Sequence, residues 1–151
     1  MASQLIESHR AGTETVVTGD AAACWKKSVE LLRELGLPEG LFPLDDMEEF
    51  GYNRATGFVW ILHGEGKTKK KTDHTFKKIK QTVSYASEVT AFVEPGRMRR
   101  ITGVKTKELL LWLSVVEVYA DEAAAATGKV TFKTGTGLSE TFDAAAFALG
   151  E

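Results

Sequence analysis

Residues 83–100 read VSYASEVTAFVEPGRMRR, and this stretch predicts a β-hairpin. Within residues 89–93, small and branched side chains alternate with Thr90 and Phe92, as expected when successive residues point to opposite faces of a strand. Pro95 and Gly96 then mark a turn before a second strand begins. The stretch therefore indicates antiparallel β-structure in the middle of the chain.

Apolar residues with a period of two, separated by turn residues, recur on both sides of this hairpin. The candidate strands are residues 47–52, 58–62, 74–80, 83–94, 98–104, 108–119, 129–133 and 138–142. Both faces of residues 108–119 are apolar, which predicts a buried central strand. Residues 121–127 include four consecutive alanines and fit either a loop or a helical turn. Short strands joined by tight turns predict a barrel-like, strongly curled antiparallel sheet.

A helix is predicted ahead of these strands, over residues 21–35. The Asp20 carboxylate can accept a hydrogen bond from an amide of its first turn, and Gly36 and Pro38 are suited to end it. Its apolar face comprises Cys24, Trp25, Val29, Leu31, Leu32 and Leu35. The connection that follows, residues 36–46, contains four large apolar side chains, so we expect it to pack on the core.

The predicted fold class is mainly β (α+β), with an N-terminal helix packed on a barrel-like sheet. We predict a partly disordered tail over residues 1–19 and one domain over residues 20–147. A chain of 151 residues can bury a core without disulfides, and the lone Cys24 cannot form an internal one. No export signal is visible. No apolar run approaches the roughly 20 residues that a membrane-spanning helix needs. We therefore expect a cytoplasmic protein without a transmembrane segment.

Charge is distributed unevenly along the chain. The formal net charge is −2, yet residues 65–107 hold twelve Lys or Arg residues against four acidic ones. Such a segment can attract an anionic lipid head group or phosphate, or can simply form solvated strand faces. No nucleic-acid partner is expected, because the pI is about 6.0 and no nucleic-acid-binding signature accompanies the lysines.

No catalytic, cofactor or metal site is predicted from the residue pattern. Residues 64–68, GEGKT, resemble the end of a phosphate-binding loop, but Ile61 stands where that loop requires glycine, so we interpret them as a solvated hairpin tip. One cysteine and three histidines do not form a recognised zinc spacing. The acidic residues at 45, 46, 48 and 49 lack the pattern of a calcium loop.

Three segments resemble the plant family known as domain of unknown function 538: residues 37–60 (LPEGLFPLDDMEEFGYNRATGFVW), 83–100 and 101–112 (ITGVKTKELLLW). The resemblance extends from about residue 19 to residue 142. It implies an N-terminal helix against a barrel-like sheet, and a similarity to the lipid-binding domain of bactericidal permeability-increasing proteins. It also implies a suggested chlorophyll-hydrolysing activity. Many members begin with a signal peptide, which this N-terminus does not show.

The first functional hypothesis is a non-enzymatic binding module for a hydrophobic or amphipathic anionic ligand such as a lipid or pigment. In this hypothesis the sheet encloses an apolar cavity with basic residues at its mouth, and Leu111 can contribute to the lining. The candidate ligand-binding residues are Phe58, Trp60, Phe92, Trp112, Lys78 and Arg99. Peripheral membrane contact through the basic strands is a related possibility. The alternative is that these aromatic residues simply fill a tight core.

Two other hypotheses remain open. An esterase acting on a hydrophobic ester such as chlorophyll would have only His63 or His74 as a histidine base in the β region. A stress-related interaction protein would instead use the basic strands to contact an acidic partner.

Overall fold

The computed structural model of the chain describes residues 2–10, 13, 15–44, 46–63, 72–120 and 128–148. Two α-helices are present there, α1 (Ala2–Arg10) and α2 (Ala21–Glu34), and a 3-10 turn (Ala144–Phe147) lies near the C-terminus. The strands are β1 (Thr15–Thr18), β2 (Met47–Asn53), β3 (Phe58–His63), β4 (Thr72–Phe76), β5 (Gln81–Glu94), β6 (Arg97–Glu108), β7 (Leu111–Ala120), β8 (Lys129–Thr134) and β9 (Ser139–Asp143). The prediction of a mainly β fold is confirmed.

All nine described strands belong to one antiparallel sheet. Its order is β1-β2-β3-β5-β6-β7-β8-β9, and β4 pairs with the first half of β5. Among the described residues the outer strands β1 and β9 do not pair with each other, so the sheet is open. The predicted barrel-like, strongly curled closure is therefore not confirmed. A period of two indicates strands, but it carries no information on whether the outer strands meet.

Two regular elements lie in the described part of the N-terminal segment. Helix α1 occupies its first part, and β1 pairs with β2 from Thr15 opposite Tyr52 to Thr18 opposite Glu49. A strand of four residues is too short to show a period of two clearly. The predictions for residues 64–68 and 121–127 lie outside the described residues.

Helix α2 begins and ends where the sequence predicts. The Asp20 carboxylate accepts a hydrogen bond of 3.1 Å from an amide of the first turn. At the other end, Gly36 has a φ of +74°, and the Leu37 amide donates to the Leu32 carbonyl oxygen at 2.9 Å. Trp25 lies at the margin of the apolar face, because 36% of its surface stays exposed.

The connection after α2 packs across the main core, as expected. Its large apolar side chains Leu37, Leu41, Phe42 and Leu44 are buried. Tyr85 on β5 donates a hydrogen bond of 2.7 Å to the Leu41 carbonyl oxygen, and burial raises the pKa of this phenol, so it stays a donor. The connection is therefore part of the main core.

The prediction of a buried central strand over residues 108–119 is wrong. The chain turns back on itself between β6 and β7, and Leu109, Leu110 and Leu111 lie at that turn with 93%, 91% and 65% of their surfaces exposed. Among residues 111–120, only Val115 and Val118 are fully buried. The apolar run resembles a core strand in the sequence because hydrophobicity alone does not distinguish a buried strand from an exposed turn.

Candidate functional site

The exposed leucines at the β6–β7 turn are the most unusual surface feature of the described chain. We call Leu109, Leu110 and Leu111 the leucine tip. Glu108 pairs with Leu111 across the hairpin, so Leu109 and Leu110 alone form the turn. Exposed apolar residues are common singly on protein surfaces, but a contiguous group marks a contact site.

The leucine tip also departs from ordinary turn chemistry. Leu109 has a φ of +56°, a conformation in which glycine is strongly favoured because a Cβ atom is crowded there. Two-residue hairpin turns ordinarily contain glycine, asparagine or aspartate. The large side chain at this position is thus unfavourable for the turn itself, and such local conflicts are expected at functional sites.

Two further turns lie at the same end of the sheet. Gln81 Nε2, next to the turn of residues 77–80, lies 2.8 Å from the Lys107 carbonyl oxygen and 3.3 Å from Glu108 Oε1. The turn of residues 135–138 is joined to β7 by a hydrogen bond of 2.9 Å from the Gly135 amide to the Ser114 carbonyl oxygen. It adds Leu138, which is 47% exposed. We call these three turns together the leucine end of the sheet.

Lysine side chains lie on one side of the leucine tip at this end of the sheet. Exposed lysines occupy the turn before β5 and the last part of β6: Lys77, Lys78, Lys80, Lys105 and Lys107. Lys107 Nζ lies 5.8 Å from the ring centroid of the half-buried Trp112. The leucine end therefore combines exposed aliphatic side chains, an aromatic side chain at their base, and positive charge beside them.

Two carboxyl groups lie next to the tip, at the base of the β6–β7 hairpin. Glu108 and Glu140 line a small pocket with Thr106, Thr134 and the rings of Phe132 and Phe142. A side-chain hydrogen bond to Glu108 raises the pKa of Glu140 to about 7, and partial burial and the charge of Glu108 add to the rise. The pair therefore keeps a proton up to about pH 7, and below that pH the negative charge beside the lysines is reduced.

This pair predicts a pH dependence of stability. The folded protein holds a proton on Glu140 between pH 4.5 and about 7, which the unfolded chain releases. The stabilisation is fully present below pH 4.5 and is lost as the pH rises through 7. In the wild type the free energy of unfolding in urea should therefore fall between pH 4.5 and about 7. Glu140→Gln should abolish this fall, and the control Glu88→Gln on β5 should show the same fall as the wild type. Identical pH profiles for wild type and Glu140→Gln would contradict the shared proton.

Three of the six predicted ligand-binding residues lie together, but beneath α1. Phe58 and Trp60 are fully buried with Ile6 of α1 in a small cluster separate from the main core, and Phe92 packs at its edge. The His9 ring stacks on Phe58 with centroids 4.2 Å apart. These aromatics therefore form a second packed layer covered by α1, which matches the tight-core alternative for Phe58 and Trp60.

A polar group completes this second layer. Arg10 binds Glu49 through two hydrogen bonds of 3.2 and 2.9 Å, and this bonding raises the pKa of Arg10. The Trp60 indole N–H donates to the same carboxylate at 2.6 Å. The guanidinium carbon lies 5.6 Å from the Trp60 ring centroid. Glu49 is thus a buried carboxylate with both a guanidinium and an indole N–H as partners.

The other three predicted residues lie elsewhere. Lys78 and Trp112 are at the leucine end, whereas Arg99 is near the opposite end of β6, where it pairs with Glu94 at 2.8 Å. The apolar pocket of the main core has a volume of about 20 Å³, which is room for about one water molecule. None of the six residues lines it. The pocket of the main core is therefore not the ligand cavity of the hypothesis.

A larger surface pocket of about 400 Å³ lies between the end of α2, the β2–β3 turn and the β5–β6 turn. Arg54 at its rim pairs with Glu34 at 2.8 Å, and this hydrogen bonding lowers the pKa of Glu34. The Arg54 guanidinium and the Glu34 carboxylate therefore neutralise each other at the rim of the pocket. The pocket contains none of the six predicted residues.

Of the two candidate bases of the esterase hypothesis, one is fully buried and the other is half-buried. His63 is fully buried; its Nε2 atom donates to the Ala86 carbonyl oxygen at 2.5 Å, and its Nδ1 atom lies 3.5 Å from Asp46 Oδ1. The His74 ring packs edge-on against Phe76 with centroids 4.6 Å apart. Hydrolysis of an ester stays a prediction, because none of these contacts of His63 and His74 pairs the imidazole with a nucleophile.

Cys24 has the structural role that the sequence predicts. It is fully buried, and its thiol donates a hydrogen bond of 3.3 Å to the Val17 carbonyl oxygen. Burial raises the pKa of the thiol, so the reactive thiolate is disfavoured.

Two features are absent from the described ranges. Those ranges contain no group of three or more His, Cys, Asp or Glu side chains that could hold a metal ion. No helix within them is both long and apolar enough to cross a bilayer.

Comparison with known proteins gives a family but no activity. Residues 28–148 match the model of a family described as "Protein of unknown function, DUF538". An uncharacterised protein of Arabidopsis thaliana is 28% identical over 133 residues, which are 88% of this chain and 71% of that protein. No solved structure matches the chain significantly.

Proposed function

The chain belongs to the DUF538 family, whose description names no function, and we propose that it is a binding module that docks on anionic lipid surfaces through the leucine end. The exposed leucine tip is the observation that carries this proposal. The lipid is contacted at the protein surface and is not enclosed within the sheet.

The leucine tip supplies the apolar part of the interaction. Moving one leucine side chain from water into an apolar phase contributes about 1.5 to 3 kcal/mol. Leu109 and Leu110 are almost fully exposed, so both can enter the acyl region without any rearrangement of the core. Leu138, on the neighbouring turn, is a further exposed leucine at this end of the sheet.

The lysines supply the electrostatic part. A basic side chain close to an anionic membrane surface contributes about 1 kcal/mol, and the contribution weakens within a Debye length. The lysines of the turn before β5 and of the last part of β6 lie beside the tip, where head groups would be when the leucines enter the acyl region. Trp112 suits the interface between these regions, where aromatic side chains concentrate.

This proposal modifies the ligand hypothesis drawn from the sequence. It retains an amphipathic anionic ligand and two of the predicted residues, Lys78 and Trp112. It replaces an internal cavity with an external contact, because the pocket of the main core is too small for a lipid chain. Two signals, apolar and basic, are what stable peripheral anchoring requires.

Co-sedimentation with lipid vesicles tests the proposal. The wild-type protein should bind vesicles that contain phosphatidylserine more tightly than vesicles of phosphatidylcholine alone, because the lysines add attraction only to the first. Raising the salt concentration should weaken the binding to phosphatidylserine. If the protein binds neither vesicle at low salt, the proposal is refuted. If it binds both equally, the preference for anionic lipid is refuted.

A further inference from the structure

A second binding site is suggested by the groove that α1 covers, on the β2–β3–β5 part of the sheet. Its floor consists of Phe58, Trp60 and Glu49, with Phe92 at the edge. Helix α1 fills it with Ile6, His9 and Arg10. We propose that this groove is a docking site for a helical peptide that carries an arginine four residues after an aliphatic residue, and that α1 occupies it intramolecularly.

The chemistry of the floor favours a guanidinium ligand. A buried carboxylate is costly unless it is paired, and well-packed apolar side chains usually replace a buried ion pair without loss of stability. Glu49 is nevertheless buried, and the Trp60 indole N–H donates a hydrogen bond of 2.6 Å to one of its oxygen atoms. The carboxylate then accepts a two-point contact from Arg10, the geometry that distinguishes arginine from lysine.

The aromatic rings extend the same recognition. The Arg10 guanidinium lies over the Trp60 ring, an arrangement that planar guanidinium groups favour. Ile6 lies four positions before Arg10 and is buried against Phe58 and Trp60. Residues spaced four apart share one face of a helix, so the groove recognises an aliphatic side chain and an arginine on a single helical face.

Helix α1 has the properties of a displaceable occupant. It has nine residues, which is too short for an isolated helix to be stable in water. The floor lies within residues 28–148, the segment that matches the family, whereas α1 lies outside that segment. A partner helix of the same chemistry can therefore compete for a site that belongs to the family domain.

A peptide-binding experiment on the full chain tests this inference. The probe is a fluorescently labelled peptide with residues 1–14 of this chain, and the opened variant is Ile6→Asp/Arg10→Ala, which removes the contacts of α1 and leaves the floor intact. The opened variant should bind the probe about tenfold or more tightly than wild type, whose own α1 competes. Binding is measured by fluorescence anisotropy.

Two matched controls isolate the guanidinium contact. A probe with Arg10→Ala, and an opened variant that also carries Glu49→Gln, should each weaken binding about tenfold or more, because a charge-assisted contact is lost. Equal binding of both probes would refute guanidinium recognition, and no binding would refute the site. Dimerisation of wild type without peptide binding would assign the groove to a second copy and overturn the proposal.

Folding of the opened variant is checked by circular dichroism. If it does not fold, Arg10→Ala alone replaces it, with Ile6 retained and the same expected order of affinities. If Arg10→Ala also fails to fold, α1 is an obligatory part of the fold, and the inference of a displaceable helix is wrong.

Discussion

Replacing Leu109 by glycine and Leu110 by asparagine should weaken binding to phosphatidylserine vesicles about 100-fold or more, since each leucine contributes about 1.5 to 3 kcal/mol on leaving water. The same exchange should raise the free energy of unfolding by about 1 kcal/mol, because glycine relieves the unfavourable conformation of Leu109. Its φ of +56° followed by a residue with negative φ suits a Gly-Asn turn. Vesicle affinity and stability thus move in opposite directions.

This opposite movement separates membrane contact from general damage to the fold. Vesicle co-sedimentation gives the affinity, and urea unfolding followed by circular dichroism gives the stability. Val16→Asn is the matched control, because Val16 is an exposed apolar residue on the edge strand β1 and should leave vesicle binding unchanged. Unchanged binding of the turn variant would contradict the role of the leucine tip, and parallel losses of stability and binding would attribute the effect to folding.

Local patterns predicted much of the fold. The hairpin of residues 83–100 and helix α2 follow from alternation, Asp20 as a cap and Gly36 as a terminator, and each of these signals operates within a few residues. The open edge of the sheet has no such local signal. It depends on whether strands far apart in sequence meet, which the period of two does not report.

The leucine tip shows a different limit of the sequence pattern. The chain turns at Leu109 and Leu110 without glycine, proline, asparagine or aspartate, so the usual turn residues are missing and the apolar run reads as one buried strand. One available signal was the alternation of Lys105, Thr106 and Lys107 just before the run. A strand that exposes lysines on one face is solvated on that face, so the residues that continue it are not expected to be buried on both faces.

The layer beneath α1 depends on contacts that no short pattern reveals. Arg10 and Glu49 are separated by 39 positions in sequence, and each looks like an ordinary surface charge when considered alone. Gly51 in the middle of β2 is explained only by the structure, because a Cβ atom there would overlap the Trp60 ring. The sequence therefore singles out Trp60 as a ligand-binding or core aromatic residue, without locating the layer beneath α1 to which it belongs.

Trp60→Ala should lower the free energy of unfolding by about 4 kcal/mol, the range for removing a fully buried aromatic side chain. The substitution leaves a cavity beside Phe58 and Ile6, and it removes the indole N–H that binds the buried Glu49 carboxylate. Trp25→Ala is the matched control, and its cost should stay below about 1 kcal/mol because Trp25 lies at the margin of α2.

Urea unfolding followed by circular dichroism compares the two variants without relying on the tryptophan signal that each one loses. A loss of about 4 kcal/mol at Trp60 is a large part of the 5 to 15 kcal/mol by which small domains are stable. It would show that the second layer carries stability as well as a surface for α1. Equal losses at Trp60 and Trp25 would instead mean that the layer contributes little, and that the buried Glu49 is already satisfied without the indole.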